Sequence, residues 1–128
     1  YPEMVALIRR LREQNQPVLI ASTSFRFLLE PLAAELEVTT LVCTELIVTD
    51  GRTTGHLDGG PCYAEEKARR TEQECRKLGL DLSAAAFYSD SHHDLPLLQE
   101  VRHPIAVNPD IRLRRRAERE GWTVLRPE

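Results

Sequence analysis

The stretch Ala84-Ala85-Ala86-Phe87-Tyr88-Ser89-Asp90-Ser91-His92-His93-Asp94-Leu95-Pro96-Leu97-Leu98 decides how the chain is read. The apolar run 84–88 predicts a buried strand, which stops at an acid, Asp90. A second acid, Asp94, follows, and Pro96 then falls where a helix would open. Proline is tolerated there because first-turn N–H groups have no helical partner. One carboxylate therefore ends a strand and the other begins a helix. In an open α/β sheet this is the carboxyl edge, where ligands bind. Two carboxylates gathered on that edge repel unless a cation separates them, and hard oxygen ligands with open positions suit Mg²⁺. The structural alternative makes Asp94 a helix N-cap and Asp90 a turn residue.

Working outward, short apolar runs alternate with helical patterns. Met4 to Leu11 shows helical spacing, with charge on its other face, and Pro17 marks the exit. The run 18–21 reads as a parallel strand closed by Ser22-Thr23-Ser24. Residues 25–36 read as a helix that Pro31 kinks or divides, and 40–44 as a strand. Residues 64–78 form a charged helix carrying Lys67, with Gly79 as its stop. A strand at 104–107, a helix at 111–120 ended by Gly121, and a strand at 122–125 complete the series. This alternation predicts an α/β fold, a doubly wound parallel sheet with a Rossmann-like core, in one domain spanning residues 1–128. Residues 45–57 break the pattern: β-branched segments flank Asp50-Gly51, a strong turn dipeptide, so a β-hairpin insertion is expected.

Composition narrows the function. The 128 residues are 41% hydrophobic and 29% charged, with net charge −3, an ordinary globular profile. Mild acidity gives no reason to expect nucleic acid as a partner. Arginines 112–119 alternate with Leu113, Ala117 and Glu118 and read as a solvated helix face. No apolar run approaches the roughly 20 residues that span a bilayer, and no signal peptide is visible, so no membrane partner is expected. Three cysteines without metal-like spacing fit reduced thiols of a cytoplasmic protein.

Three further positions carry candidate chemistry. Ser22, with the N–H groups of Thr23 and Ser24, would face an anion above a helix N-terminus, unless it is a plain cap. Lys67 sits in a helical first turn, where a cation is electrostatically misplaced. A bound anion would explain it; a solvated side chain is the alternative. A hydroxyl, a lysine and two carboxylates on one sheet edge suit phosphoryl transfer, which depends on positioning and charge neutralisation. His92 and His93 have no orienting partner evident in the sequence.

These segments resemble the haloacid-dehalogenase-like (HAD) phosphohydrolase superfamily, in its phosphoserine-phosphatase-like branch, subfamily IB. Leu19-Ile20-Ala21-Ser22-Thr23-Ser24-Phe25 resembles the second motif of that branch. Cys62-Tyr63-Ala64-Glu65-Glu66-Lys67 resembles the third, and Tyr88 to Leu98 the fourth and most specific. The hairpin and Ala106-Val107-Asn108-Pro109-Asp110 also have counterparts. The resemblance implies that Ser22 and Thr23 hold phosphoryl oxygens and that Lys67 neutralises phosphate. It implies Asp90 as a direct Mg²⁺ ligand and Asp94 as its direct or water-mediated support. A small phosphorylated metabolite is the implied partner.

Two departures stand out. His93 occupies a position where the family usually has Asn. The first motif, Asp-x-Asp at the end of a central strand, is absent from the sequence, as is the helical cap that follows it. That motif supplies the nucleophile, so the expectation is a Mg²⁺-dependent phosphomonoesterase in the parent protein and an inactive chain as it stands here. The alternative is a non-catalytic module that keeps the phosphate and metal pocket. A receiver-like signalling domain shares the sheet type, but the hairpin and the late acid pair argue against it. Without the motif-one strand, the strands ending at Ser22 and Asp90 would flank a vacant lane. The lane would be filled by an N-terminal segment, filled by a partner chain, or closed by direct pairing.

Overall fold

The computed structural model describes residues 2–127; Tyr1 and Glu128, the ends of the expected domain, lie outside the described residues. The chain divides into two compact units, one up to Cys62 and one from Tyr63 onward. The parallel strands fall into a pair in the first unit and a triple in the second.

In the first unit, α1 (Pro2–Glu13) precedes β1 (Leu19–Phe25), α2 (Arg26–Glu35) and β2 (Thr40–Thr44). β1 and β2 are parallel, with Leu19 opposite Thr40 and Ala21 opposite Val42, and their register shifts before Phe25 meets Thr44. The Thr44 hydroxyl, buried, donates to the Thr23 carbonyl at 2.6 Å and accepts the Cys62 N–H at 2.9 Å. One side chain thus ties the strand ends to the segment that leaves the unit. Pro31 lies inside α2, which runs on as one helix rather than beginning a new segment.

β3 (Leu46–Thr49) and β4 (Arg52–Leu57) pair antiparallel with Thr49 opposite Arg52, as the turn dipeptide predicts. Asp50 and Gly51 both take positive φ, 52° and 76°, the two-residue turn whose twist suits a hairpin.

The second unit contains α3 (Glu65–Lys77), β5 (Ala86–Ser89), α4 (Leu95–Leu98), β6 (His103–Val107), α5 (Ile111–Glu120) and β7 (Thr123–Leu125). Its strands are all parallel, in the order β5-β6-β7. Leu98, Ala106, Leu113 and Ala117 are fully buried, and Phe87, Leu95, Trp122 and Val124 pack against them. α5 supplies two of these residues from positions four apart, one helical face. Its arginines point elsewhere, and two of them pair with Glu118 and Glu120. Gly121, at φ 72°, closes α5, and the Trp122 N–H bonds to the Ala117 carbonyl.

Two boundaries differ from expectation. The strand predicted from residue 84 begins at Ala86, because Leu82–Ala84 form a 3-10 turn in which Asp81 accepts the Ser83 N–H. Ser22-Thr23-Ser24 continue β1 instead of closing it.

Leu113 has no exposed surface in the core of the second unit. Leu113→Ala is expected to lower stability by about 2–5 kcal/mol, read as a fall in the urea midpoint at unchanged slope.

Candidate active site

The sequence of the second unit carries its titratable groups to the carboxyl end of β5. Ser89 is the last residue of that strand, and Asp90 follows it. The chain then turns tightly: Ser91 Oγ accepts the His93 N–H at 3.1 Å, and residues His92–Asp94 make one 3-10 turn before α4. Pro96 lies in the first turn of α4, as its missing N–H requires.

Asp94 does not cap that helix, since its carboxylate makes no cap hydrogen bond. It turns inward instead. Lys67 Nζ lies 2.7 Å from Asp94 Oδ1, and Ser89 Oγ donates to Asp94 Oδ2 at 2.6 Å. Lys67 and Asp94 are only 7% and 8% exposed, so Lys67 is not a solvated lysine. Its place in the first turn of α3 is unfavourable for a cation, and the opposing carboxylate at contact distance offsets that. Burying both ions costs several kcal/mol each, and only pairing with further hydrogen bonds compensates. Ser89 supplies one such bond, and the Ser91 N–H in turn donates to Ser89 Oγ at 3.1 Å. Lys67, Ala68, Thr71 and Cys75 form the buried stripe of α3, which anchors the lysine.

Asp90 differs from Asp94. It is exposed, and its carboxylate has no hydrogen-bond or ion-pair partner among the described residues. Only its backbone carbonyl is engaged, by the Asp110 N–H at 2.9 Å. A free carboxylate one residue from the strand end is a ready hard-oxygen ligand. Mg²⁺ often uses only one or two carboxylates and keeps its waters; the open carboxylate of Asp90 suits that demand, whereas both oxygens of Asp94 already hold protein partners. Among the described residues there is no group of three or more His, Cys, Asp or Glu that could hold a metal.

The histidines do have orienting partners, contrary to the sequence expectation. Asp110 Oδ2 accepts both the backbone N–H of His92 and its Nδ1, each at 2.9 Å. Asp110 Oδ1 caps α5 by accepting the Leu113 N–H at 2.8 Å. His93 Nδ1 is hydrogen-bonded to the Tyr63 hydroxyl. These partners lie 18 and 30 residues away in sequence. Asp110 could have been found from its position before a helical pattern, which marks an N-cap; nothing local marks Tyr63, and Ser89 is marked only by lying at the strand end.

Ser22 and Thr23 lie in the first unit. Ser22 is not at a helix N-terminus: it lies within β1, Phe25 is the N-cap of α2, and Ser22 Oγ accepts the Ser24 N–H at 3.1 Å. These residues belong to β1, with a register shift before Phe25, and the Thr23 carbonyl accepts the Thr44 hydroxyl.

The haloacid dehalogenase-like hydrolase family profile matches residues 1–99, and the chain belongs to that family. It is 35% identical to a histidinol-phosphatase of Neisseria meningitidis, over 97% of this chain and 58% of that one. It is also 35% identical to a phosphoserine phosphatase of Mycobacterium tuberculosis, over 86% of this chain and 35% of the relative. A solved protein of unknown function from Bordetella pertussis superposes with a TM-score of 0.90 at 34% identity, covering 98% of this chain and 57% of that structure. The chain spans about half the length of the curated relatives it matches.

Two predictions follow from the geometry. Removing the cation should leave a buried, unpaired carboxylate, so Lys67→Met is expected to cost about 3–5 kcal/mol at neutral pH, with Lys67→Met/Asp94→Leu recovering much of the loss in the same denaturation assay. Asp110 is partly buried, which opposes ionisation, but the N–H groups of His92 and Leu113 and the His92 ring together hold its carboxyl below the usual range. A lowered folded-state pKa contributes stability above the ordinary Asp value of about 3.9, and that contribution is lost as pH falls through the folded value. Asp110→Ala should therefore cost about 0.5–2 kcal/mol at pH 7, with the gap to wild type narrowing below about pH 4.

Proposed function

We infer that the chain is the catalytic-core portion of a Mg²⁺-dependent phosphomonoesterase acting on a small phosphorylated metabolite. The observation that carries this reading is the buried Lys67–Asp94 pair beside the free carboxylate of Asp90. It combines a fixed positive charge for phosphate from α3 with a held carboxylate and an open oxygen ligand from the turn that follows β5. Family membership and the phosphatase names of the relatives support it.

Each group has a distinct task. Lys67 neutralises a phosphoryl oxygen, and its tether to Asp94, itself held by Ser89, keeps it from collapsing onto other acids. Asp90, supported by Asp94, would hold Mg²⁺, which when bound supplies charge neutralisation at the phosphate. The resemblance assigns Ser22 and Thr23 to phosphoryl oxygens, and their part rests on that resemblance alone. The nucleophile is proposed to be an aspartate from outside these 128 residues, whose attack on phosphorus breaks the P–O bond to the alcohol, which leaves with a proton, and gives an aspartyl-phosphate that water then hydrolyses to phosphate and the free carboxylate. Cysteine does not serve instead. Burial, and then the charge of Glu45, pushes the Cys43 thiol up to about 11, and burial also raises Cys75, whereas thiol nucleophiles need the opposite shift.

Strands from outside these residues are proposed to cover the open edge of β1 in the first unit and that of β5 in the second. β1 pairs only with β2, and β5 only with β6, among the described residues. Leu19, Ile20, Ala21, Phe87 and Tyr88 are only half-buried, although parallel strands with such continuous apolar runs are normally covered on both faces. A cytosolic location is inferred from three buried cysteines that are assigned to no disulfide; no helix among the described residues is long and apolar enough to cross a membrane.

The test is an assay with Mg²⁺ and an aryl phosphate, comparing these 128 residues with the full-length protein. The short chain should show no turnover, and Asp90→Asn should reduce turnover of the long one at least about 100-fold. Equal activity in both, abolished by Asp90→Asn, would place the nucleophile within this chain. Inactivity of the full-length protein on any monoester would favour the non-catalytic binding module.

A further inference from the structure

We propose that Asp110 and His92 are positioning residues for the metal: the clamp they form sets where Asp90 stands, and thereby how tightly the site takes Mg²⁺. The proposal rests on the phosphatase reading above and extends it to two residues that act through Asp90.

The clamp begins in the turn after β6. Asn108 takes a left-handed conformation, with φ 42°, which asparagine tolerates better than most residues. Its N–H donates to the Leu125 carbonyl and its side-chain amide to the Pro127 carbonyl, each at 2.9 Å. Pro109 then has its own φ fixed by the ring. Asp110 is therefore delivered from a stiff turn that is tied to β7 and to the chain just beyond it.

Capping α5 uses only half of what Asp110 offers. Oδ1 accepts the Leu113 N–H at 2.8 Å, and a cap needs no more. Oδ2 turns to another strand end, where it accepts the backbone N–H of His92 and its Nδ1, each at 2.9 Å. The Asp110 N–H adds a bond to the Asp90 carbonyl at 2.9 Å. Arg112 Nη1 stands 3.4 Å from His92 Nε2, so both ring nitrogens face a partner and the ring is held from two sides. These bonds land on Asp90 itself and on the residue two beyond it. They fix the main chain that carries the free carboxylate.

Mg²⁺ makes that fixation consequential. It demands near-octahedral geometry with oxygens at about 2.0–2.1 Å. The Asp90 carboxylate has no protein partner among the described residues to aim it, so its reach is set by its backbone. Groups that orient a metal-binding side chain are worth about 10- to 100-fold in metal affinity. A helix cap alone accounts neither for the second oxygen of Asp110 nor for the His92 ring.

The experiment is a calorimetric titration of the metal-free full-length protein with Mg²⁺, beside urea unfolding of each variant. Serine caps a helix about as well as aspartate but has a single oxygen, so Asp110→Ser keeps the cap and releases His92. It should hold the urea midpoint near wild type while weakening Mg²⁺ binding about 10- to 100-fold. His92→Phe removes the ring nitrogens without removing a carboxylate, so weaker binding there reports position and not lost charge; about tenfold is expected. The double variant should bind no more weakly than Asp110→Ser alone, because the two side chains share one interaction. Unchanged Mg²⁺ affinity in Asp110→Ser and His92→Phe, with binding lost in Asp90→Asn, would overturn the clamp and leave the phosphatase reading intact; so would losses that add in the double variant. Should Asp110→Ser fail to fold, His92→Phe, which leaves the cap in place, decides the matter. Absence of Mg²⁺ binding by wild type, or its survival in Asp90→Asn, would overturn both.

Discussion

A lysine and an aspartate taken out of water together are the constraint on which the second unit depends. Alone, either ion would be expelled or neutralised. Paired at 2.7 Å, with Ser89 on the second carboxylate oxygen, they become tolerable, and the condition of that tolerance is geometric. α3 must present Lys67 from its first turn, β5 must end at Ser89, and the turn before α4 must bring Asp94 back to both. The tight 3-10 turn and the proline-started helix are therefore parts of one electrostatic arrangement. Buried pairs are poor contributors to net stability compared with apolar packing, so stability alone does not account for the pair. Beside it, Asp90 stays exposed and unpaired. Neighbouring carboxylates thus have different environments, one committed to the protein and one free for a ligand.

How far this was legible in the sequence depends on how local each signal is. Parallel strands read as unbroken apolar runs, so β2 and β6 lie close to where the runs predict them. The hairpin is legible because Asp50-Gly51 demands positive φ at two successive residues. Boundaries without such chemistry went astray. Ser22-Thr23-Ser24 resemble a strand exit but stay extended, because the Thr44 hydroxyl reaches the Thr23 carbonyl from β2. Ala84 looks apolar enough for a strand, yet Asp81 and Ser83 organise a turn there first.

The site shows the same division. Lys67 was conspicuous because a cation in a first turn conflicts with the helix dipole, and a conflict can be seen in one sequence window. Asp94 was conspicuous too, as a candidate for the metal side with a cap as the alternative, and the fold sets its carboxylate against Lys67 and Ser89 instead of the helix end. The Tyr63–His93 contact and the double use of Asp110 join residues 30 and 18 positions apart. No spacing rule announces them, because each depends on where β5 and β6 carry the following turns.

Asp110 shows why these turns belong together. One carboxylate oxygen caps α5, and the other holds His92 through both its backbone and its ring. The Asp110 N–H meanwhile bonds the Asp90 carbonyl. The turn after β6 is thereby fastened to the turn after β5 at three points. The core of Leu98, Ala106, Leu113 and Ala117 fixes the helices and strands beneath them. Apolar packing sets the position of the strand ends, and hydrogen bonds between turns set the direction of what extends from them. With its backbone fastened in this way, Asp90 can leave its carboxylate without a protein partner and still be held in place. A carboxylate proposed to bind a metal must be both available and fixed, and here the main chain supplies the second property so that the side chain can keep the first.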